Sequence, residues 1–132
     1  MAKSVIPLAG VIGITVATVL GHGPDPEWGR EIYVTNCAVC HGRYAEGDGP
    51  AMAALDVGAP DLTEIARRRG GYFPYDEIRG IVDGRRDVAE HGGRLMPVWG
   101  AEFTMASGDE DRAWDQIEAV VAYLESVQVE VE

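Results

Sequence analysis

The sequence predicts an all-α fold, and three observations carry that expectation. Apolar residues recur at helical spacing around Ile78 and again around Ile117. No segment alternates apolar and polar side chains as a half-buried strand would. Glycine and proline divide the remainder into pieces that suit short helices and loops. The chain has 132 residues, enough for one domain and not comfortably two.

The first helix is expected to start at Asp25-Pro26-Glu27. Asp25 can cap, Pro26 suits the first helical position, and Glu27 complements the positive end of the helix dipole. This helix should run through Trp28, Ile32 and Tyr33 and deliver the chain to Cys37. Gly47, Gly49 and Pro50 mark a loop, and a short helix follows over Ala51–Leu55 until Gly58-Ala59-Pro60 breaks it. Leu62, Ile65 and Ala66 predict another turn or two of helix, closed by Gly70-Gly71. Pro74 opens a clearer helix with Ile78, Ile81 and Val82 on one face, ended by Gly84. Residues 85–106 show no sustained period and read as a long loop. Ser107-Gly108-Asp109-Glu110 reads as a capping box with Ser107 as the cap. The helix behind it carries Trp114, Ile117, Val120, Val121 and Leu124 on a broad apolar face.

The N-terminus differs from everything after it. Lys3, the sole lysine, precedes a stretch from Ser4 to Pro24 without any Asp, Glu, Lys or Arg. A short basic start followed by an apolar run reads as an export signal, and its length approaches the roughly 20 residues that span a bilayer. Residues 1–23 are therefore expected to be a signal peptide or an uncleaved membrane anchor, with residues 24–132 as the folded domain. Membrane association, if the segment is kept, would run through residues 4–20, and the domain would lie outside the cytoplasm. The expected location is the periplasm, either soluble after cleavage or anchored to the inner membrane. The formal net charge of −11 argues against nucleic-acid binding, because phosphates would be repelled. It suits encounter with a basic partner surface, an attraction that salt weakens.

The chemistry is concentrated in Cys37-Ala38-Val39-Cys40-His41. C-x-x-C-H is the attachment signature of a c-type haem. Two thiols three positions apart can bond to the two vinyl groups of one porphyrin, and the adjacent imidazole can ligate its iron. The expectation is one haem c, bound covalently through Cys37 and Cys40, with His41 on the metal. Two rival uses of the motif are weaker. A redox dithiol normally sits near a βαβ pattern, which is missing here. A structural zinc would need His22 and His91 to complete its ligand set.

The iron also needs a second ligand or an open site. A thioether favours the reduced metal and raises the potential. Met52 lies on a short apolar helix and is expected to be core, whereas Met105 precedes the last helix and has no supporting context. Met96 lies in the long loop, with Pro97 fixing the backbone just after it. His91 is the rival ligand, and bis-histidine ligation would lower the potential.

In combination these features resemble a class I cytochrome c of bacterial, monohaem type. The resemblance spans residues 25–127. It rests on the Cys37–His41 peptide with Gly42, the Gly47-Asp48-Gly49-Pro50 loop, the Met96-Pro97-Val98-Trp99 segment and Val121-Ala122-Tyr123-Leu124. It implies helices wrapped around one haem, Met96 as the second iron ligand, and a proline carbonyl, here Pro60, accepting from the ring of His41. It also implies that the first and last helices cross at Gly29 and Tyr33, against Val120 and Tyr123. Trp99 and Arg94, which flank Met96, are expected to pack in the loop rather than reach the haem propionates.

The function implied is single-electron transfer, without chemistry on an organic substrate. Expected partners are a quinol-oxidising complex or a dehydrogenase as donor and a terminal oxidase as acceptor. One alternative is a fixed haem relay within a larger membrane complex. The other is an open-site haem protein that binds a gas or peroxide.

Overall fold

The computed structural model describes residues 23–55, 58–85 and 95–130. The expected signal or anchor segment, together with His22, His91 and Arg94, lies outside the described residues. Their regular structure is entirely helical, in the order α1 (Pro26–Asn36), α2 (Ala38–His41), α3 (Pro50–Leu55), a 3-10 turn (Leu62–Glu64), α4 (Ile65–Arg68), α5 (Tyr75–Asp83), α6 (Trp99–Ser107) and α7 (Glu110–Ser126). No strand occurs among them. None of these helices is long and apolar enough to cross a membrane.

The largest helix–helix interface joins α1 to α7. Asp25 caps α1 through Oδ1, which accepts from the Glu27 amide at 3.0 Å, and Pro26 follows it. Three residues of α1 are buried, Gly29, Ile32 and Tyr33, and they form one stripe facing α7. At Gly29 the two backbones nearly touch: a Cβ there would collide with the Ala119 carbonyl and lie 3.0 Å from Tyr123 Cβ. One turn further on, the rings of Tyr33 and Tyr123 pack with centroids 5.1 Å apart. The expected crossing is therefore present, with Ala119 rather than Val120 facing the glycine.

The remaining helices pack around this pair. α5 and α6 both rest on α7, which contributes Ala113, Ile117, Val120, Val121 and Leu124 to a continuous buried core with Ile78, Val82 and Phe103. The C-terminal end of α7 holds the 3-10 turn by hydrogen bonds. Gln128 Oε1 accepts from the Ala66 amide at 2.8 Å, its Nε2 donates to Leu62 O at 2.8 Å, and the Val129 amide donates to Thr63 O at 2.9 Å.

Three local expectations are corrected. The long loop expected over residues 85–106 contains α6, which starts directly after Val98 and stops at Gly108 in the left-handed conformation (φ 69°). Ser107 does not cap α7. It closes α6, its hydroxyl donates to Phe103 O at 2.8 Å, and Asp109 becomes the cap by accepting from the amides of Asp111 and Arg112. Trp114 is exposed rather than core, and the Arg79 guanidinium lies 5.0 Å from its ring centroid.

The Gly29 crossing yields a direct prediction. Gly29→Ala should raise intrinsic helix propensity yet destabilise the protein by about 1–3 kcal/mol, because α1 and α7 must separate to admit the methyl group. A thermal melt checks it; an unchanged or higher melting temperature would contradict the observed packing.

Candidate haem-binding site

The Cys37–His41 peptide is a single helical turn set at the end of α1. Cys37 terminates α1 by donating its amide to Tyr33 O at 2.8 Å, and it precedes α2 directly. The His41 amide reaches back to Cys37 O at 2.9 Å, which closes the turn at residue 41. Gly42 then leaves the helix at φ 82°, a conformation that glycine adopts without strain. A Cβ at Gly42 would also strike the Asp48 carboxylate, so the position is closed sterically as well.

The loop after Gly42 folds back onto this turn. The Gly47 amide donates to His41 O at 2.8 Å, and Gly49 passes so close to Val39 and Cys40 that a side chain there would meet their backbone. The Leu62 amide donates to the fully buried Ala45 at 2.7 Å, joining the loop to the 3-10 turn. Tyr33 completes the support: its ring is fully buried, and its hydroxyl donates to Gly42 O at 2.9 Å. The thiol-bearing turn is thus held between α1, a returning loop and the segment around residue 60.

Both cysteines are free thiols. Cys37 is buried, and that burial pushes its thiol up to about 12, with the neighbouring Cys40 adding to the shift. Cys40 is half-buried, and Val39 between them is 53% exposed. The His41 side chain is half-buried with Nδ1 shielded from solvent. Two unoxidised thiols on one turn, followed by a shielded imidazole, are the donor set a covalent haem requires. Among the described residues no three His, Cys, Asp or Glu side chains converge as a metal cluster, so the thiols belong to no zinc-type set there.

The other expected site residues come from different parts of the fold. Pro60 is exposed, and its backbone lies against Gly47, one hydrogen bond away from His41. Met96 is half-buried, between exposed Leu95 and Pro97, three residues before the start of α6. Met52 is buried on α3 and Met105 is 72% exposed on α6, so the first belongs to the interior and the second points to solvent. Trp99 stacks on Phe103 with centroids 5.4 Å apart, the packing role expected for it. Tyr33 was expected at the helix crossing; what the sequence did not signal is that its hydroxyl donates to Gly42 O and so holds the exit of the haem-peptide turn.

The model of the family described as cytochrome c oxidase, cbb3-type, subunit III matches residues 24–124. The chain belongs to that family. The cytochrome likeness read from the motifs therefore holds, and with it the class: an all-helical, haem-binding, electron-transferring cytochrome c. This cytochrome is also 33% identical over 101 residues to the cbb3-type cytochrome c oxidase subunit CcoP of Rhodobacter capsulatus. That alignment covers 75% of this chain and 28% of the relative, so the cytochrome spans well under a third of the relative's length. No solved structure matches it.

Tyr33 offers a test of this support. Burial holds its phenol well above the ordinary 10, so the unfolded chain releases that proton first as pH rises. Stability should consequently fall from about pH 10 upward. Tyr33→Phe should cost about 1–2 kcal/mol at neutral pH, from the acceptor left at Gly42 O, and should flatten the alkaline decline. Urea melts at neutral pH and near pH 11 compare the two; an equally steep decline in the variant would assign the effect to other groups.

Proposed function

We propose that this cytochrome carries one haem c, bound through thioethers from Cys37 and Cys40, and passes single electrons as a haem module of a cbb3-type oxidase. When bound, the haem supplies an iron that alternates between ferric and ferrous states. His41 and Met96 would ligate that iron, and Pro60 would lend its carbonyl to orient the His41 ring. The observation that carries this reading is the Cys-x-x-Cys-His turn itself. It is held by Tyr33 and the Gly42–Gly49 loop, with both thiols unoxidised and the imidazole shielded.

Each residue acts through its own chemistry. The thiols fix the porphyrin so that it cannot dissociate between turnovers. The imidazole would offer the iron its unprotonated nitrogen while its other N–H donates to a carbonyl. A thioether carries no exchangeable proton, so the metal changes charge with little rearrangement around it. None of these groups acts on an organic substrate, and the protein is an electron carrier rather than the catalytic subunit. Val39, exposed between the two cysteines, marks the side through which electrons would enter and leave.

The fixed-relay reading is preferred over a freely diffusing shuttle because the family and the R. capsulatus relative are both described as oxidase subunits. The donor would then be a quinol-oxidising complex or a dehydrogenase and the acceptor the oxidase. Residues 1–23 would export or anchor the domain on residues 24–132, placing the haem on the periplasmic side.

Intact mass of the native protein tests the covalent haem and the fate of residues 1–23 together; an unmodified mass with two alkylatable thiols would end the proposal. Met96→Ala should abolish the weak sulfur–iron absorption at the red end of the ferric spectrum and lower the potential. It should also let carbon monoxide bind the reduced form, which the native protein should resist. Ready binding to the native protein would favour the open-site alternative instead.

A further inference from the structure

We propose that Asp83 and Arg85, locked against Gly100, position the Met96 thioether and so set the strength of its bond to the iron without touching it. This inference rests on the Met96 ligation proposed above.

Asp83, at the end of α5, is the buried charged residue of the described chain. Its Oδ1 accepts from Arg85 Nε at 2.7 Å, while Arg85 Nη1 donates to Glu110 Oε1 at 2.7 Å in the first turn of α7. This hydrogen bond to Asp83 is also the main reason the Arg85 guanidinium holds its proton more tightly than usual. The pair lies directly on Gly100: a Cβ there would overlap Asp83 Oδ1 and come within 2.6 Å of Arg85 Nε. Beside it, Gly84 is left-handed (φ 67°), and a Cβ at that position would lie 3.2 Å from Val98 Cα. The backbone at residue 84 therefore abuts the backbone at residue 98.

Two consequences bear on Met96. First, α6 gains no side-chain cap from its own sequence, since Val98 offers none. The Asp83 carboxylate, from the end of α5, instead lies against the first turn at Gly100, at the end where the helix dipole favours negative charge. The start of α6 is thus packed on the Asp83–Arg85 ion pair. Second, only Pro97 separates Met96 from Val98, and its ring fixes φ. Whatever locates Val98 and Gly100 locates the Met96 backbone to within one stiff residue. A shift there would lengthen the sulfur–iron contact, because a thioether is a weak ligand that follows its backbone.

The test uses the ferric, haem-loaded protein with Asp83→Asn and Gly100→Ala, and Met96→Ala as reference. Both clamp variants should weaken the red-end sulfur–iron absorption, lower the potential, and raise the affinity of the iron for added imidazole about tenfold or more. Glu110→Gln, at the exposed end of the network, should change them least. If Met96→Ala loses the absorption while Asp83→Asn and Gly100→Ala keep native absorption and imidazole affinity, the pair is merely structural and the proposal is overturned. If Met96→Ala itself keeps the absorption, the ligand reading fails first and takes this inference with it. Should Gly100→Ala not fold, the nearly isosteric Asp83→Asn decides alone.

Discussion

The approach of α1 to α7 at Gly29 is the constraint on which the rest of the structure depends. A residue without a side chain lets the α1 backbone settle on the Ala119 carbonyl, and that contact fixes the height of every later residue of α1. Tyr33, one turn on, is thereby driven into full burial beside Tyr123. Its hydroxyl then needs a partner, and the carbonyl of Gly42 is the one it finds. The exit of the Cys-x-x-Cys-His turn is consequently referenced to the helix crossing itself. The far end of α7 performs a similar service, since Gln128 and Val129 bind the backbone of residues 62–66, which in turn holds Ala45. One helix pair thus supports the thiol-bearing turn from both sides.

How far this could be read from the sequence depended on whether each signal was local. Asp25-Pro26-Glu27 carries its own helix start, and Gly84 its own stop, so both were legible. The Gly29 crossing was legible through the family resemblance, and the burial of Gly29, Ile32 and Tyr33 along one side of α1 agrees with it. α6 was not: in Trp99-Gly100-Ala101-Glu102-Phe103-Thr104-Met105-Ala106-Ser107, apolar residues fall on all sides. Only Gly100 and Phe103 are buried, and Met105 is 72% exposed. Its first turn packs on a carboxylate from another helix, a contact that no short window along the chain contains. Ser107 misled for a related reason. Serine, aspartate and glutamate in sequence fit two caps, and Ser107 Oγ was already committed to Phe103 O one turn back.

The charge of the chain follows a comparable division between local and distant partners. Many of its arginines are engaged: Arg67 and Arg68 with Glu64, Arg69 with Glu77, Arg79 with Asp76 and Glu118. Pairs this exposed contribute little stability each. The larger effect of charge is on the surface field, because the chain carries 22 acidic against 11 basic residues. A basic docking face on a redox partner would meet that field, and salt would weaken the encounter.

The two faces of the proposed haem are therefore scaffolded unequally. On the His41 side, the nearest supports are close in sequence to the ligand: Tyr33 holds Gly42, and the Gly47 amide donates to His41 O. Covalent sulfur on the same turn would restrict that side further. On the Met96 side, the anchoring groups come from α5, α6 and α7, and they act through an ion pair and close backbone packing rather than through a bond to residue 96. Local opening costs least where contacts are few and distant in sequence. The thioether, already the weaker donor, should thus be the ligand that yields first under heat, denaturant or competing base. The imidazole would remain in place until α1 and α7 part.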